Sequence, residues 1–154
     1  MAAVDDSTRT LKGKYRLLRK LGQGGMGAVY LSHHELLDQP VAVKLMTAQS
    51  LDSASAVERF LREARALAAL HHPGVCRIFD VDTNDDGLPF IVMEFIDGQS
   101  LDAVLRAHPE TPLHERVRWV VEASLALAAA HDRQIIHRDV KPANIMLTRE
   151  QTIR

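Results

Sequence analysis

Residues 137–144 read His137-Arg138-Asp139-Val140-Lys141-Pro142-Ala143-Asn144. This short stretch holds a carboxylate, an amine and an amide. Asp139 can accept the proton of a hydroxyl group and orient its oxygen, Asn144 offers an oxygen ligand to Mg²⁺, and Lys141 can reach a phosphate group. A plain surface turn would not require these groups at this spacing. The stretch therefore predicts a catalytic loop suited to phosphate chemistry.

A glycine-rich stretch precedes this loop by about a hundred residues and reads Leu21-Gly22-Gln23-Gly24-Gly25-Met26-Gly27-Ala28-Val29. Glycine lets backbone N–H groups approach phosphate oxygens without a Cβ clash. Taken alone, the stretch fits a plain glycine-rich hairpin equally well. A Walker loop would continue with Lys and Ser or Thr, and a dinucleotide fold would continue as a helix. A β-branched strand follows instead, which disfavours both classes, including a dinucleotide oxidoreductase.

A lysine, Lys44, ends the apolar run Val41-Ala42-Val43. A buried ammonium group needs a partner, and Glu63 in the next predicted helix can supply one. That helix has an apolar face formed by Val57, Phe60, Leu61, Ala64, Leu67 and Ala68. Two plainer interpretations stay open: Lys44 lies on an edge strand with its head in water, or Glu63 is a solvated helix residue.

The remaining pattern predicts an α+β chain. Strands are expected over residues 15–21, 28–33, 41–46, 75–81 and 88–95, with one helix between the third and the fourth. Helices follow, and the longest extends from Leu113 to His131. Its apolar stripe consists of Val117, Val120, Val121, Ser124, Leu125 and Ala128. We expect a five-stranded antiparallel sheet with one helix, then the start of a helical lobe.

The composition excludes several classes of protein. The 154 residues are 46% apolar and 25% charged, which are globular values. A net charge of -1 argues against nucleic-acid binding by bulk charge. The single cysteine, Cys76, excludes a disulfide framework and a cysteine-based zinc site. Residues 119–130 are too short an apolar stretch to span a membrane, and residues 1–9 do not resemble a secretory signal. We expect a cytoplasmic chain without nucleic-acid or membrane partners.

Together and in this order, the motifs resemble those of Hanks-type, eukaryotic-like serine/threonine protein kinases of bacteria. Residues 137–144 match the pattern H-R-D-x-x-x-x-N at every fixed position. The resemblance implies a protein-kinase-like α+β fold, with a leader over residues 1–14 and a kinase domain over 15–154. That domain would comprise an N-terminal lobe over 15–95, a hinge over 94–98 and the start of a C-terminal lobe over 99–154. Lys141 is typical of the serine/threonine group.

The resemblance also implies ATP and Mg²⁺ as cofactors, and protein Ser or Thr hydroxyls as substrates. Lys44, paired with Glu63, would hold the α- and β-phosphates. Asp139 would act at the hydroxyl, and Lys141 would reach the transferred phosphate. Asn144 would bind the metal. Other ATP contacts would come from Leu21, Gly22, Gln23, Gly24, Gly25, Met26, Gly27, Ala28, Val29, Ala42, the gatekeeper Met93, and Glu94 and Ile96 of the hinge.

In this family an Asp-Phe-Gly motif follows the catalytic-loop asparagine by roughly a dozen residues. Arg154, the last residue, lies 10 residues after Asn144. We therefore expect this chain to lack the second metal ligand and to be inactive by itself. The alternative is a non-catalytic nucleotide-binding or interaction fragment of a kinase.

Overall fold

A computed structural model describes residues 9–24, 27–46 and 54–154, with the backbone only at 54–56, 59 and 63. The chain divides into two compact units. The first unit comprises Met1–Ala68 and Arg77–Phe95, and the second comprises Ala69–Cys76 and Ile96–Arg154.

In its described residues, the first unit is a six-stranded antiparallel sheet with one helix. Its elements are β1 (Thr10–Leu11), β2 (Tyr15–Gly24), β3 (Gly27–His34), β4 (Gln39–Leu45), α1 (Ala54–Ala68), β5 (Ile78–Thr83) and β6 (Pro89–Glu94). The strands are arranged in the order β1-β2-β3-β4-β6-β5. The antiparallel α+β class expected from the sequence is confirmed, with one strand more than predicted.

The additional strand is β1, which lies inside the segment interpreted as a leader. It has two residues and pairs with the start of β2. Leu11 is 1% exposed because its side chain belongs to the core of the sheet. Two residues are too few to show the alternation of apolar and polar positions that marks a strand, so the sequence pattern did not reveal β1.

The sheet is curled, and side chains from opposite sides of it meet. The Tyr15 hydroxyl on β2 donates to Asp80 Oδ2 on the far edge strand β5 at 2.7 Å, and Arg9 pairs with Asp86 beyond β5. The core inside the curl is a cluster of ten buried residues: Leu11, Tyr15, Leu17, Ala28, Tyr30, Val41, Val43, Leu45, Phe90 and Val92.

The helix α1 covers part of the sheet with the apolar face that the sequence predicts. Phe60 and Ala64 are buried against Met46 and Ile91, with Leu61 packed on the same cluster. Helical spacing brings these positions to one side of α1. Their burial therefore fixes α1 against β5 and β6.

The second unit contains two short strands and two α-helices. Its elements are β7 (Gly98–Ser100), α2 (Leu101–Ala107), α3 (Leu113–His131), a 3₁₀ turn (Pro142–Asn144) and β8 (Met146–Thr148). β8 pairs with β7 on one side, and its backbone exchanges hydrogen bonds with residues 152–154 on the other. The core of this unit is Leu101, Trp119, Leu147 and Ile153.

The long helix α3 has the predicted bounds and leaves its apolar stripe in water. Val117, Val120, Val121 and Leu125 are 51% to 63% exposed. Trp119, Ala126 and Ala130 are the positions that α3 buries. Within the part of the chain that the structure describes, no helix is long and apolar enough to cross a membrane.

Candidate active site

The glycine-rich stretch forms the hairpin between β2 and β3, as expected. Gly22 pairs with Val29, and Gln23 pairs with Ala28. Gly27 has φ of 148°, and a Cβ atom there would lie 2.0 Å from the Leu45 carbonyl oxygen. Only glycine fits at this position. Cβ atoms at Gly22 and Gly24 would meet no described atom within 4 Å, so packing does not account for those two glycines.

Two predicted members of this stretch, Gly25 and Met26, lie outside the described residues. Leu21, which precedes the glycines, is 39% exposed.

Four predicted ATP contacts share one face of the sheet. Val29 lies directly opposite Lys44 on the neighbouring strand, and Ala42 lies directly opposite Met93. Opposite residues present their side chains on the same face, and residues two apart in a strand do so as well. The structure therefore brings Val29, Ala42, Lys44 and Met93 together.

Lys44 lies in the middle of the sheet. Its strand, β4, has β3 on one side and β6 on the other, so the interpretation of Lys44 as an edge-strand residue is wrong. Ile91 lies directly opposite Lys44 on β6 and packs against α1. Lys44 thus occupies the sheet face that carries α1. The side chain of Glu63 lies outside what the structure describes, so the Lys44–Glu63 pair stays a prediction.

The predicted hinge coincides with the boundary between the units. Glu94 is the last residue of β6, and its backbone N–H donates to the Arg77 carbonyl oxygen at 2.8 Å. Its carboxylate accepts a further bond from the Arg77 N–H at 3.3 Å. Ile96 is half-buried and is the first residue of Ile96–Arg154, the longer of the two segments that form the second unit.

Residues 137–144 form a compact loop in the second unit. Arg138 adopts φ of 64°, a left-handed conformation that is uncommon outside glycine and clusters at functional sites. Pro142 begins the 3₁₀ turn, where its fixed φ is already suitable. The turn brings Asn144 back to Asp139, five residues earlier.

Asp139 is the centre of this loop. Its Oδ2 atom accepts from Lys141 Nζ at 2.8 Å and from Asn144 Nδ2 at 2.9 Å. Asn144 Nδ2 also donates to the Asp139 carbonyl oxygen at 2.8 Å. These bonds fix the carboxylate through one oxygen. Since no described residue donates to Oδ1, that atom can accept a hydroxyl group.

The same contacts set the charge of Asp139. The hydrogen bond from Lys141, followed by that from Asn144, holds the pKa of the Asp139 carboxyl below its usual value. An exposed carboxyl group is ionised at neutral pH even without these bonds, and 61% of the Asp139 side chain is exposed, so the two donors extend the ionised range to lower pH. The sequence pointed to Lys141 as a phosphate contact and did not predict its ion pair with Asp139. Opposite charges two residues apart are the signal that could have revealed it.

The loop fits one ligand position of a magnesium ion. Asn144 uses its amide nitrogen for Asp139, which leaves the neutral Oδ1 oxygen for a cation. Mg²⁺ prefers six oxygen ligands, usually including carboxylates and phosphates. In the described parts of the chain, no group of three or more His, Cys, Asp or Glu side chains could hold a metal. Asn144 therefore suits a metal that is held mainly by other groups, such as the phosphates of a nucleotide.

A family model for the protein kinase domain matches residues 15–154, and the chain belongs to that family. It is 42% identical over 139 residues to the serine/threonine-protein kinase pkn2 of Myxococcus xanthus. It is 37% identical over 141 residues to the serine/threonine-protein kinase PrkC of Bacillus subtilis. Each match covers 90% of this chain but only 16% and 21% of the two relatives, respectively.

The fold agrees with this assignment. The crystal structure of the PknI kinase domain of Mycobacterium tuberculosis superposes with a TM-score of 0.82 and 32% sequence identity. The match covers 99% of this chain and 59% of the PknI chain. The family resemblance inferred from the motifs is confirmed, and the relatives are serine/threonine protein kinases of bacteria.

Proposed function

We propose that this chain supplies the ATP-contacting and catalytic-loop residues of a serine/threonine protein kinase. Such an enzyme transfers the γ-phosphate of ATP to Ser or Thr hydroxyls of proteins. The observation that carries the proposal is the arrangement of Lys141 and Asn144 around the ionised Asp139. Family membership and the names of the bacterial relatives support the same activity.

Residues of the first unit would hold the phosphates of the nucleotide. The Gly22 and Gly24 backbone would approach its phosphates, because neither glycine is explained by packing. Lys44 would neutralise the α- and β-phosphates, with Glu63 keeping its ammonium group in place. Leu21, Gln23, Gly25, Met26, Gly27 and Ala28 would complete the phosphate-covering hairpin.

The adenine ring would lie against the sheet face that carries Val29, Ala42 and Met93. These side chains are apolar and adjacent, which suits the flat face of a base. Backbone groups at Glu94 and Ile96 would bind the edge of the base. The cofactors would be ATP and Mg²⁺, and the expected location is the cytoplasm.

Asp139 would act by positioning the substrate hydroxyl. Its lowered pKa makes it a weak base, so its main contribution is to orient the attacking oxygen through Oδ1. Lys141 would move from Asp139 toward the transferred phosphate as negative charge approaches. Asn144 would hold Mg²⁺, which supplies neutralisation of phosphate charge when bound.

The test uses a chimera in which residues 15–154 replace the matching segment of pkn2. We expect this chimera to phosphorylate a generic protein substrate, and Asp139→Asn to abolish transfer while leaving ATP affinity nearly unchanged. The matched control is Asp132→Asn, the same change at an exposed aspartate just after α3. Equal loss of ATP binding and transfer in the Asp139 variant would contradict a positioning role. ATP binding without any transfer by a folded chimera would favour the alternative, a non-catalytic nucleotide-binding module.

A further inference from the structure

A pocket of about 480 Å³ opens in the second unit. It lies among β7, α2, α3 and the turn after β8, and none of its lining residues belongs to the catalytic loop. Val104, Trp119 and Leu147 supply apolar lining, and Gln99 and Gln151 supply amide groups. Neither the sequence motifs nor the proposed kinase activity assigns a role to this pocket.

The pocket contains a carboxylate without a partner. Glu115 lines it from the first turn of α3, one helical turn before Trp119, so both side chains lie on one face of the helix. Glu115 is half-buried. No side chain or backbone N–H among the described residues donates to its carboxylate. The first turn of a helix stabilises a negative charge, and the carboxylate oxygens of Glu115 remain available to a cationic ligand.

The two basic side chains that line the pocket already have carboxylate partners. Arg149 binds Asp97 at 2.9 Å, and His108 lies 3.3 Å from Glu110. Neither of these two carboxylates lines the pocket. Because each basic side chain that lines the pocket has a carboxylate beside it, the lining charge that remains for a ligand is that of Glu115. The pocket therefore favours a cation over an anion.

Trp119 provides a second feature that a ligand would complete. Its indole is 2% exposed, and its Nε1 atom is buried without a hydrogen-bond partner in the described chain. A buried donor without an acceptor costs free energy. A bound peptide carbonyl that reached Nε1 would supply the acceptor, and the indole ring itself attracts cations.

We propose that this pocket binds an arginine or lysine side chain of an extended peptide in a partner protein. The aliphatic stem lies against Val104 and Leu147, the cationic head binds Glu115, and the flanking peptide groups meet Gln99 and Gln151. That the partner is a substrate or regulator of a kinase rests on the proposed function. Binding itself requires neither ATP nor phosphate transfer.

The experiment is calorimetric titration of the 154-residue chain with acetyl-Ala-Arg-Ala-amide. We expect saturable binding that weakens as salt is added, since screening reduces charge pairing. Replacing the arginine by citrulline, its neutral isostere, should weaken binding by about tenfold, because one charged hydrogen bond is lost. Acetyl-Ala-Glu-Ala-amide should not bind. Trp119, the single tryptophan of the chain, should change its emission over the same concentration range.

The variant Glu115→Gln should weaken the arginine peptide by about tenfold and abolish the preference over citrulline. The control Glu150→Gln removes the same charge from an exposed residue that does not line the pocket, and should change affinity by less than about twofold. Equal effects of the two variants, equal binding of the arginine and citrulline peptides, or an exposed-type Trp119 emission would overturn the proposal. Free arginine amide binding as tightly as the peptide would overturn its peptide part. No phosphate transfer enters these measurements, so loss of the proposed kinase activity would leave the result intact.

Discussion

At the scale of single residues, the loop of residues 137–144 contains a carboxylate that is fixed in place and a lysine that can move away from it. The Asp139 carboxylate accepts from Lys141 and Asn144, which follow it in sequence, and the Asp139 backbone N–H donates to the His137 ring nitrogen Nδ1 at 3.3 Å. This arrangement lowers the pKa of Asp139 and fixes one carboxylate oxygen. Lys141 is half exposed and can leave the pair when a more negative group arrives.

The titration of Asp139 tests this arrangement. Replacing Lys141 by Met removes the contact that lowers the pKa most, so the Asp139 pKa should rise toward the ordinary value of 3.8. A carboxylate with a lowered pKa stabilises the folded loop above its unfolded pKa, and that contribution is lost as the pH falls through the folded pKa. Lys141→Met should therefore move the loss of loop order to higher pH. Carboxyl NMR shifts of Asp139 measure both effects.

The control for this titration is Lys20→Met, which removes a lysine on β2, in the first unit. It should leave the Asp139 pKa unchanged. An Asp139 pKa that is the same in the Lys141 variant and the parent chain would contradict the assignment of Lys141 as the main cause of the lowered pKa.

At the scale of elements, the sequence predicted the long helix from its repeated spacing and missed the shortest strand. The bounds of α3 followed from nineteen residues of helical spacing. β1 was missed because two residues carry no period. The glycine hairpin was predicted as a ligand site. The sequence did not show that only glycine fits at position 27, whereas a side chain would have room at position 22. That difference depends on where the Leu45 carbonyl lies in the structure.

The same limit applies to Lys44. An apolar strand ending in lysine is compatible with an edge or a central strand, and only the sheet order β3-β4-β6 decides between them. That order depends on pairings between residues about fifty positions apart, such as Lys44 with Ile91. The local sequence around Lys44 does not show which distant residue it pairs with.

The helix α1 packs on the sheet face that carries Lys44 of β4. If Glu63 binds Lys44, Glu63→Gln should destabilise the first unit by about 2 kcal/mol, because it leaves a half-buried ammonium without its partner. Lys44→Met should cost less in the Glu63→Gln background than in the parent chain. Urea unfolding of the four chains of this double-mutant cycle measures the coupling.

The matched control is Glu58→Gln, on the same helix at an exposed position. It should change stability by less than about 0.5 kcal/mol and show no coupling to Lys44. Additive effects of Lys44→Met and Glu63→Gln would contradict the predicted pair.

At the scale of the whole molecule, the two units differ in how completely they cover their apolar surface. The first unit encloses a ten-residue core within its curled sheet and covers a second cluster with α1. The second unit has a core of four buried residues and leaves the stripe of α3 in water. The two units should therefore differ in stability.

The last prediction is that the second unit unfolds before the first. Burying a large apolar side chain contributes about 1.5–3 kcal/mol. Four side chains of α3 that are about half exposed therefore forgo about 4 kcal/mol, a large part of the ~5–15 kcal/mol that stabilises a typical domain. Trp119 reports on the second unit, and Tyr15 and Tyr30, the only two tyrosines, report on the first. In urea, the midpoint of the change in tryptophan emission should occur at a lower urea concentration than the midpoint of the change in the tyrosine near-ultraviolet signal.

Two matched leucine variants assign the cause to burial. Leu147→Ser removes a 4%-exposed side chain from the core of the second unit. It should lower the free energy of unfolding measured by tryptophan emission by about 2–5 kcal/mol and leave the tyrosine transition unchanged. Leu125→Ser removes a 58%-exposed side chain from the α3 stripe and should leave the tryptophan transition within about 0.5 kcal/mol of the parent chain. A large loss from Leu125→Ser would mean that the stripe is already covered in solution, and coincident tryptophan and tyrosine transitions would mean that the units unfold as one. Either result would contradict the view that the exposed face of α3 limits the stability of the second unit.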